Sequence, residues 1–173
     1  MPIPVLIQDF DIYDTKKGSE VLVGISGEVT LPTVAFKTVD ISGPGISGDM
    51  SVAVYGATEK MEMEIPYRAL TPKMFEMLAP GSVKLTLRGS VQNTDLSTQD
   101  VDFKGIRIDV RGQCFELNPG KVKKEEEMGS SIKLTLSYFA VYLDGKNVLE
   151  IDKLGRVLKV NGVDLMKKIR DLC

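Results

Sequence analysis

The stretch "SIKLTLSYFAVYLDGKNVLEI", residues 131–151, decides the fold. Its middle puts Leu136, Tyr138 and Tyr142 on one side of an extended chain and Phe139, Val141 and Leu143 on the other. A strand that is apolar on both faces is covered on both, so it belongs at the centre of a sheet. Asp144–Gly145 is a residue pair suited to a tight turn, so two antiparallel strands meet there.

Period-two alternation spreads outward from this hairpin. In "SVKLTLRGSVQN", Val83, Leu85, Leu87 and Val91 oppose Lys84, Thr86, Arg88 and Gln92. "VDFKGIRIDVRGQCFEL" changes phase twice. Val101 and Phe103 are odd-numbered, Ile106, Ile108 and Val110 are even, and Phe115 and Leu117 are odd again. Bulges near Lys104–Gly105 and Gly112–Gln113 are expected to absorb those slips. "MSVAVYG" and "KMEMEIPY" read as the arms of a hairpin turning at "YGATE", within an extended arm over about 34–67. Pro32 predicts an edge or a bend in "GEVTLPTVAF".

Two short helices complete the pattern. "LTPKMFEMLAPG" predicts one over about 71–79, with Thr71 as cap, Pro72 at the first helical position and Pro80–Gly81 as the stop. Met74, Phe75, Met77 and Leu78 form its apolar face. Val163, Met166, Ile169 and Leu172 predict a second over about 162–172. No internal repeat or low-complexity linker divides the 173 residues. The expectation is one mainly β, antiparallel domain over residues 1–173, and "KKEEEMGS" is a solvated turn within it.

Composition narrows the function. The chain has no histidine, which removes Ser-His-Asp and Cys-His catalysis and histidine-based metal sites. A net charge of −2 does not suit a dedicated nucleic-acid binder. The charge is uneven: residues 1–66 carry 4 basic and 10 acidic side chains, residues 67–173 carry 18 and 14. Such polarity suits a head-to-tail contact between copies. Cys114 and Cys173 make no disulfide framework, which points to a reducing compartment. The N-terminus lacks the pattern of a signal peptide, and no apolar run reaches the roughly 20 residues of a membrane-spanning helix.

"ISGPGISGDM", residues 41–50, contains a formal G-x-G-x-x-G at Gly43, Gly45 and Gly48. A dinucleotide loop needs a helix opening inside that motif, to offer free N–H groups to the pyrophosphate. Here a strand-like run follows, and Pro44 removes one N–H. Gly43, Gly45, Ile46, Gly48 and Met50 are instead candidates for a contact with a neighbouring copy, and no cofactor is expected. Lys60, Glu62 and Glu64 share a strand face, the two carboxylates about 6.5–7 Å apart. That spacing fits paired carboxylate chemistry only inside a cleft. An acidic exposed face is the simpler reading, and no catalytic or metal-binding residue is assigned.

The order of segments is distinctive as a set. "QDFDIYD", "GISGEVTLPTVAFKT", "GATEKMEMEI", "VKLTLRGSVQ" and "KLTLSYFAVYLDGKNVLEID" are followed by "LKVNGVDLMKKIRDL". The sharpest parts are Glu28–Pro32, Glu59–Glu64 and Val148–Asp164. Nearly end to end, the chain resembles the major tail tube protein of contractile-tailed bacteriophages and of phage-tail-like bacteriocins (tailocins). The resemblance implies a β-sandwich or barrel-like subunit that forms hexameric rings. Rings stack into a rigid tube inside a contractile sheath, which drives the tube through the target envelope. It also implies baseplate and tail terminator partners, a tape-measure protein in the lumen, and DNA passing without specific binding. Assembly is expected in the cytoplasm of the producing bacterium, before the tube joins a virion tail or a released particle. With that implied lumen, Lys60, Glu62 and Glu64 become candidate channel-lining residues. A type VI secretion-like tube and a monomeric nucleotide-binding β protein using Gly43–Gly48 remain as alternatives.

Overall fold

The computed structural model describes residues 1–16 and 18–173. Its strands are β1 (Pro2–Asp14), β2 (Glu20–Val21), β3 (Phe36–Ile41), β4 (Met50–Thr58), β5 (Met61–Tyr67), β6 (Val83–Asp95), β7 (Val101–Asn118), β8 (Ser130–Leu143), β9 (Lys146–Asp152), β10 (Val157–Val160) and β11 (Val163–Asp164). The helices are α1 (Pro72–Leu78) and α2 (Lys167–Leu172). Nine strands form one antiparallel sheet in the order β11-β10-β9-β8-β7-β6-β1-β2, with β5 also paired to β8. The mainly β, antiparallel architecture is thus the one the alternation predicts.

β8 is the central strand, but it is covered on one face only: the extra residue at Ser137 puts Leu136 in the core and Tyr138 and Tyr142 on the outer face under Arg111 and Arg107, so the expected second covered face is not present. On one side it pairs with β7 along most of its length. On the other, residues 130–136 pair with β5 and residues 138–143 with β9. Ser137 is the residue left over where the register shifts opposite Arg111 and Gly112. The sheet divides into two halves there. Gly112 makes the approach possible: a Cβ on it would lie 2.0 Å from the Thr135 carbonyl oxygen. A second extra residue, Phe115, sits between Cys114 and Glu116 and restores the odd phase at Leu117. The expected bulge near Gly112–Gln113 is therefore resolved into one extra residue on each strand.

No bulge interrupts the β6–β7 ladder near Lys104–Gly105, where Val91 faces Lys104, Ser90 faces Gly105 and Gly89 faces Ile106 without a shift. The phase changes because the apolar residues change faces. β7 runs beyond the end of β8, and Val101 and Phe103 lie on the outer face of that extension.

The segment after β2 closes the sheet. Leu22 N–H bonds Ile12 O beside β1, while Arg68 N–H bonds Gly24 O and Ser26 N–H bonds Pro66 O beside β5. Thr30 and Glu64 exchange backbone bonds of 3.0 and 3.1 Å. One run of chain thus holds both edges, and the curled sheet becomes barrel-like. Met61, Met63, Ile65 and Tyr67 of β5 point inward with 0–1% exposure, against Leu85, Ile108, Ile132 and Leu134.

The expected hairpin over about 34–67 is differently paired. β4 pairs with β3, and β5 pairs with β8 in the main sheet. Local alternation cannot say which of two neighbouring strands takes the next one as partner, and β5 is drawn into the core by its fully buried face. α1 also departs from expectation. Thr71 makes no side-chain cap, and its Oγ1 is buried without a partner among the described residues. Met74 and Met77 are buried, whereas Phe75 and Leu78 are about half exposed. α2 is shorter than predicted because Val163–Asp164 bends back as β11 onto β10. Both cysteines are free thiols.

Lys73 of α1 ties the helix to the β1–β2 end, at 2.8 Å from Asp14 and 2.9 Å from Glu20. Hydrogen bonds to Asp14 and then Glu20 hold its ammonium above the usual lysine range. Burial pushes the nearby Tyr67 phenol up to about 12, and its hydroxyl has no partner among the described residues.

Two predictions follow from this geometry. Gly112→Ala forces the β7–β8 backbones apart and destabilises the fold by about 1–3 kcal/mol, read as a lower denaturant midpoint. Lys73 and Tyr67 both retain in the fold a proton that the unfolded chain releases near pH 10. The unfolded state therefore binds fewer protons as pH rises, and stability falls. The melting temperature stays level from pH 7 to 9 and drops between about pH 10 and 12. Tyr67→Phe makes that drop shallower; an unchanged pH profile contradicts this assignment.

Candidate assembly surfaces

β3 and β4 form a two-stranded ribbon that pairs with no strand of the main sheet. Val39 faces Val52 and Ile41 faces Met50, so these four side chains share one face, at 36–53% exposure. Asp40 faces Ser51 on the other, and the Ser51 hydroxyl donates to the Asp40 carboxylate. A two-stranded ribbon is marginal in water by itself, and this one shows a continuous apolar face to solvent. Its base is fixed. The Phe36 and Tyr55 rings lie 5.5 Å apart, Lys153 Nζ donates to Glu59 O at 2.8 Å, and Gly56 lies against Met166.

Gly43, Gly45, Ile46 and Gly48 lie at the tip of this ribbon, and Met50 begins the returning strand. Gly45 and Gly48 have φ near +90°, and Ile46 N–H closes a tight turn onto Gly43 O at 3.1 Å. Both elements flanking the loop are strands. A dinucleotide loop needs a helix N-terminus here, so the nucleotide-binding alternative loses its structural basis.

Lys60, Glu62 and Glu64 are brought together on the outer side of the barrel. Lys60 Nζ is 3.1 Å from Glu62. Glu62 stands opposite Thr135 and Glu64 opposite Lys133, which is 3.4 Å from Glu116 on β7. The result is an open row of alternating charge, not a cleft for paired carboxylate chemistry. Among the described residues there is no cluster of three or more Cys, Asp or Glu able to hold a metal.

The other half of the same outer face is basic and aromatic. Register aligns Lys84, Arg111 and Tyr138 in one row and Arg88, Arg107 and Tyr142 in another. Arg111 stacks over Tyr138 at 4.3 Å, Arg107 over Tyr142 at 4.8 Å and Arg88 over Tyr13 at 5.6 Å. Burial, then the neighbouring Glu150 carboxylate, raises the Tyr138 phenol above its usual range. The alternation in "SVKLTLRG" carries half of this pattern; the pairing of strands supplies the rest.

A further apolar surface went unread as a site. Ile3, Leu6, Val101 and Phe103 share the outer face of the β1–β6–β7 extension at 45–56% exposure. Its signal was the phase slip at Val101 and Phe103. Beneath it, Ile7, Phe10, Leu31 and Ile106 line an apolar cleft of about 280 Å³.

Comparison with known proteins gives the family of a chain with these exposed faces. The tail tube protein of Escherichia phage P2 is 26% identical over 151 residues, covering 85% of this chain and 86% of that protein. The major tail tube protein of Serratia phage KSP20 is 25% identical over 181 residues, covering 95% and 92%. The sheath/tube terminator of an extracellular contractile injection system (PVC), solved in the extended state, shares the fold. Its TM-score is 0.56 at 10% identity, over 81% of this chain and 97% of that one. With residues 6–172 matching its family pattern, the chain belongs to the phage tail tube protein FII family.

Proposed function

We propose that this protein is the repeating subunit of the inner tube of a contractile phage tail or a related injection particle. Copies close into hexameric rings, and rings stack head to tail into a rigid tube. The observation that carries this reading is the β3–β4 ribbon. It projects an apolar face and two strand edges that pair with no other strand among the described residues. Soluble proteins normally protect such edges. A second copy covers them without adding any new element to the fold.

In this reading a contractile sheath surrounds the tube and drives it through the target envelope. A terminator and a baseplate end the tube, and a tape-measure protein fills the lumen during assembly in the producing cell. In a phage, DNA then passes through without specific binding. A lumen that releases DNA cannot bind phosphate tightly, so a row containing Glu62, Glu64 and Glu116 suits its wall better than the basic row does. The subunit's task is mechanical, and no cofactor is required. A tube of a tailocin or type VI-like system uses the same subunit architecture with a different cargo.

Purified protein at high concentration is expected to show rings or tubes by negative-stain electron microscopy. Replacing residues 43–48 by a two-residue Asn-Gly turn leaves the circular dichroism spectrum unchanged and abolishes the tubes. Normal tubes from that variant remove the ribbon tip from assembly. For the channel, Glu62→Cys and Glu64→Cys are made with Cys114 and Cys173 replaced by serine. In assembled tubes both thiols react with small maleimides and are shielded from a bulky, protein-conjugated one. Equal labelling by the two reagents puts the row on the exterior.

A further inference from the structure

The tube reading leaves open where the ribbon tip goes, and charge discriminates among the surfaces that can receive it. The ribbon has Lys37 at its base, and from Thr38 to Thr58 it carries Asp40 and Asp49 and no further basic residue. It is therefore an acidic finger with an apolar face. The apolar extension of β1, β6 and β7 is rimmed by Asp9, Asp95, Asp100 and Asp102, with Lys104 and the N-terminus as the opposing charges. It repels an acidic finger. α2 offers Lys167 and Lys168 beside Ile169 and Leu172, but it is a convex, exposed helix.

The remaining surface is concave. Where the sheet divides at Ser137, a groove of about 500 Å³ opens on the outer face. Lys84, Arg111, Thr135, Tyr138, Asp152 and Leu154 line it. The carboxylates around it are engaged. Asp152 accepts the backbone N–H groups of Leu154 and Gly155, Asp109 is held by Arg107 and Thr86, and Glu150 by Tyr138. Lys84, Arg88 and Arg111 make no ion pair among the described residues. The groove thus keeps unpaired positive charge beside apolar Tyr138 and Leu154, the latter 86% exposed. Convex, acidic and apolar on one side meets concave, basic and apolar on the other.

Position makes the contact intermolecular. Asp152 adjoins Lys153, which anchors the ribbon's base at Glu59. The ribbon runs from that base for six residues of β3, about 20 Å. Its tip therefore lies a ribbon's length from its own groove and engages that of another copy. Donor and acceptor sit on different parts of one chain, which makes the contact heterologous and open-ended.

We propose that the groove at the sheet bend, with Lys84 and Arg111 at its centre, is the docking site for the Asp40–Met50 ribbon tip of a second copy. This rests on the tube reading above. The test places a photo-crosslinking benzoylphenylalanine at Ile46 and maps the products of assembled tubes by mass spectrometry. Cross-links to residues 82–84, 111–113, 135–138 or 152–154 of another copy are expected. Tubes that form with cross-links to α2 or to the β1–β6–β7 extension overturn the docking site and leave the tube reading intact. Failure of the unmodified protein to assemble overturns both.

A charge exchange gives an independent readout. Asp40→Lys with Asp49→Lys, or Lys84→Glu with Arg111→Glu, raises the critical concentration for assembly roughly tenfold or more. Combining the two sets returns it toward the original value. A combined variant no better than either parent, with each monomer's melting temperature unchanged, contradicts the pairing.

Discussion

The structure depends on a close backbone approach at one point, Gly112 against Thr135. β8 has to serve two neighbours on one edge, β5 and then β9. Antiparallel pairing is periodic, so a strand cannot change partners on one side while keeping perfect register on the other. The extra residue at Ser137 accommodates the change, and only a residue without a Cβ lets β7 follow it. Everything distinctive is arranged around that bend. The closed core half lies on one side of it, the β9–β11 half on the other, and the outer groove lies between them.

The bend also divides a mixed-charge row from a basic one. Before it, the outer face carries Glu62, Glu64, Lys133 and Glu116. After it, the same face carries Lys84, Arg88, Arg107 and Arg111 with three tyrosines. Side chains on one pleated face a few rows apart would largely offset one another if their charges were interspersed. The Lys60–Glu62 and Lys133–Glu116 pairs nearly balance the first group, so the stronger field lies beyond the bend, and such a field fixes orientation better than it adds affinity. In a polar assembly orientation is the greater need, because one inverted subunit ends growth.

Much of this was legible from local pattern. The strand character of β8, the turn at Asp144–Gly145, the core face of Met61, Met63 and Ile65, and α1 all rest on interactions between near neighbours. What was misread depends on distant ones. "MSVAVYG" and "KMEMEIPY" are adjacent and both alternate, yet the first turns back on β3 and the second pairs with β8 some 70 residues later. The phase slip at Val101 and Phe103 was visible, but a bulge and a second apolar face leave the same trace in a single strand. Only the neighbouring strands distinguish them. The assembly surfaces were partly legible for the same reason. Gly43–Gly48 marks an unusual loop by itself, whereas the basic row appears only when β6, β7 and β8 are laid side by side.

A ribbon with an uncovered apolar face is a hazard before assembly, because two such ribbons can pair edge to edge in the wrong register. Its composition resists that outcome. Asp40 and Asp49 place like charges together when two ribbons meet, and Gly43, Gly45 and Gly48 keep the tip from extending as a flat strand. The core half of the sheet, by contrast, is bridged by its own chain between Leu22 and Thr30. In the docking proposed above, the ribbon, already paired within its own chain, meets a surface of opposite charge on a second copy. In the proposed tube each contact is small, and repetition around a ring and along the tube makes the assembly strong. Such a division suits the proposed tube, which must not nucleate at random yet must withstand force along its axis.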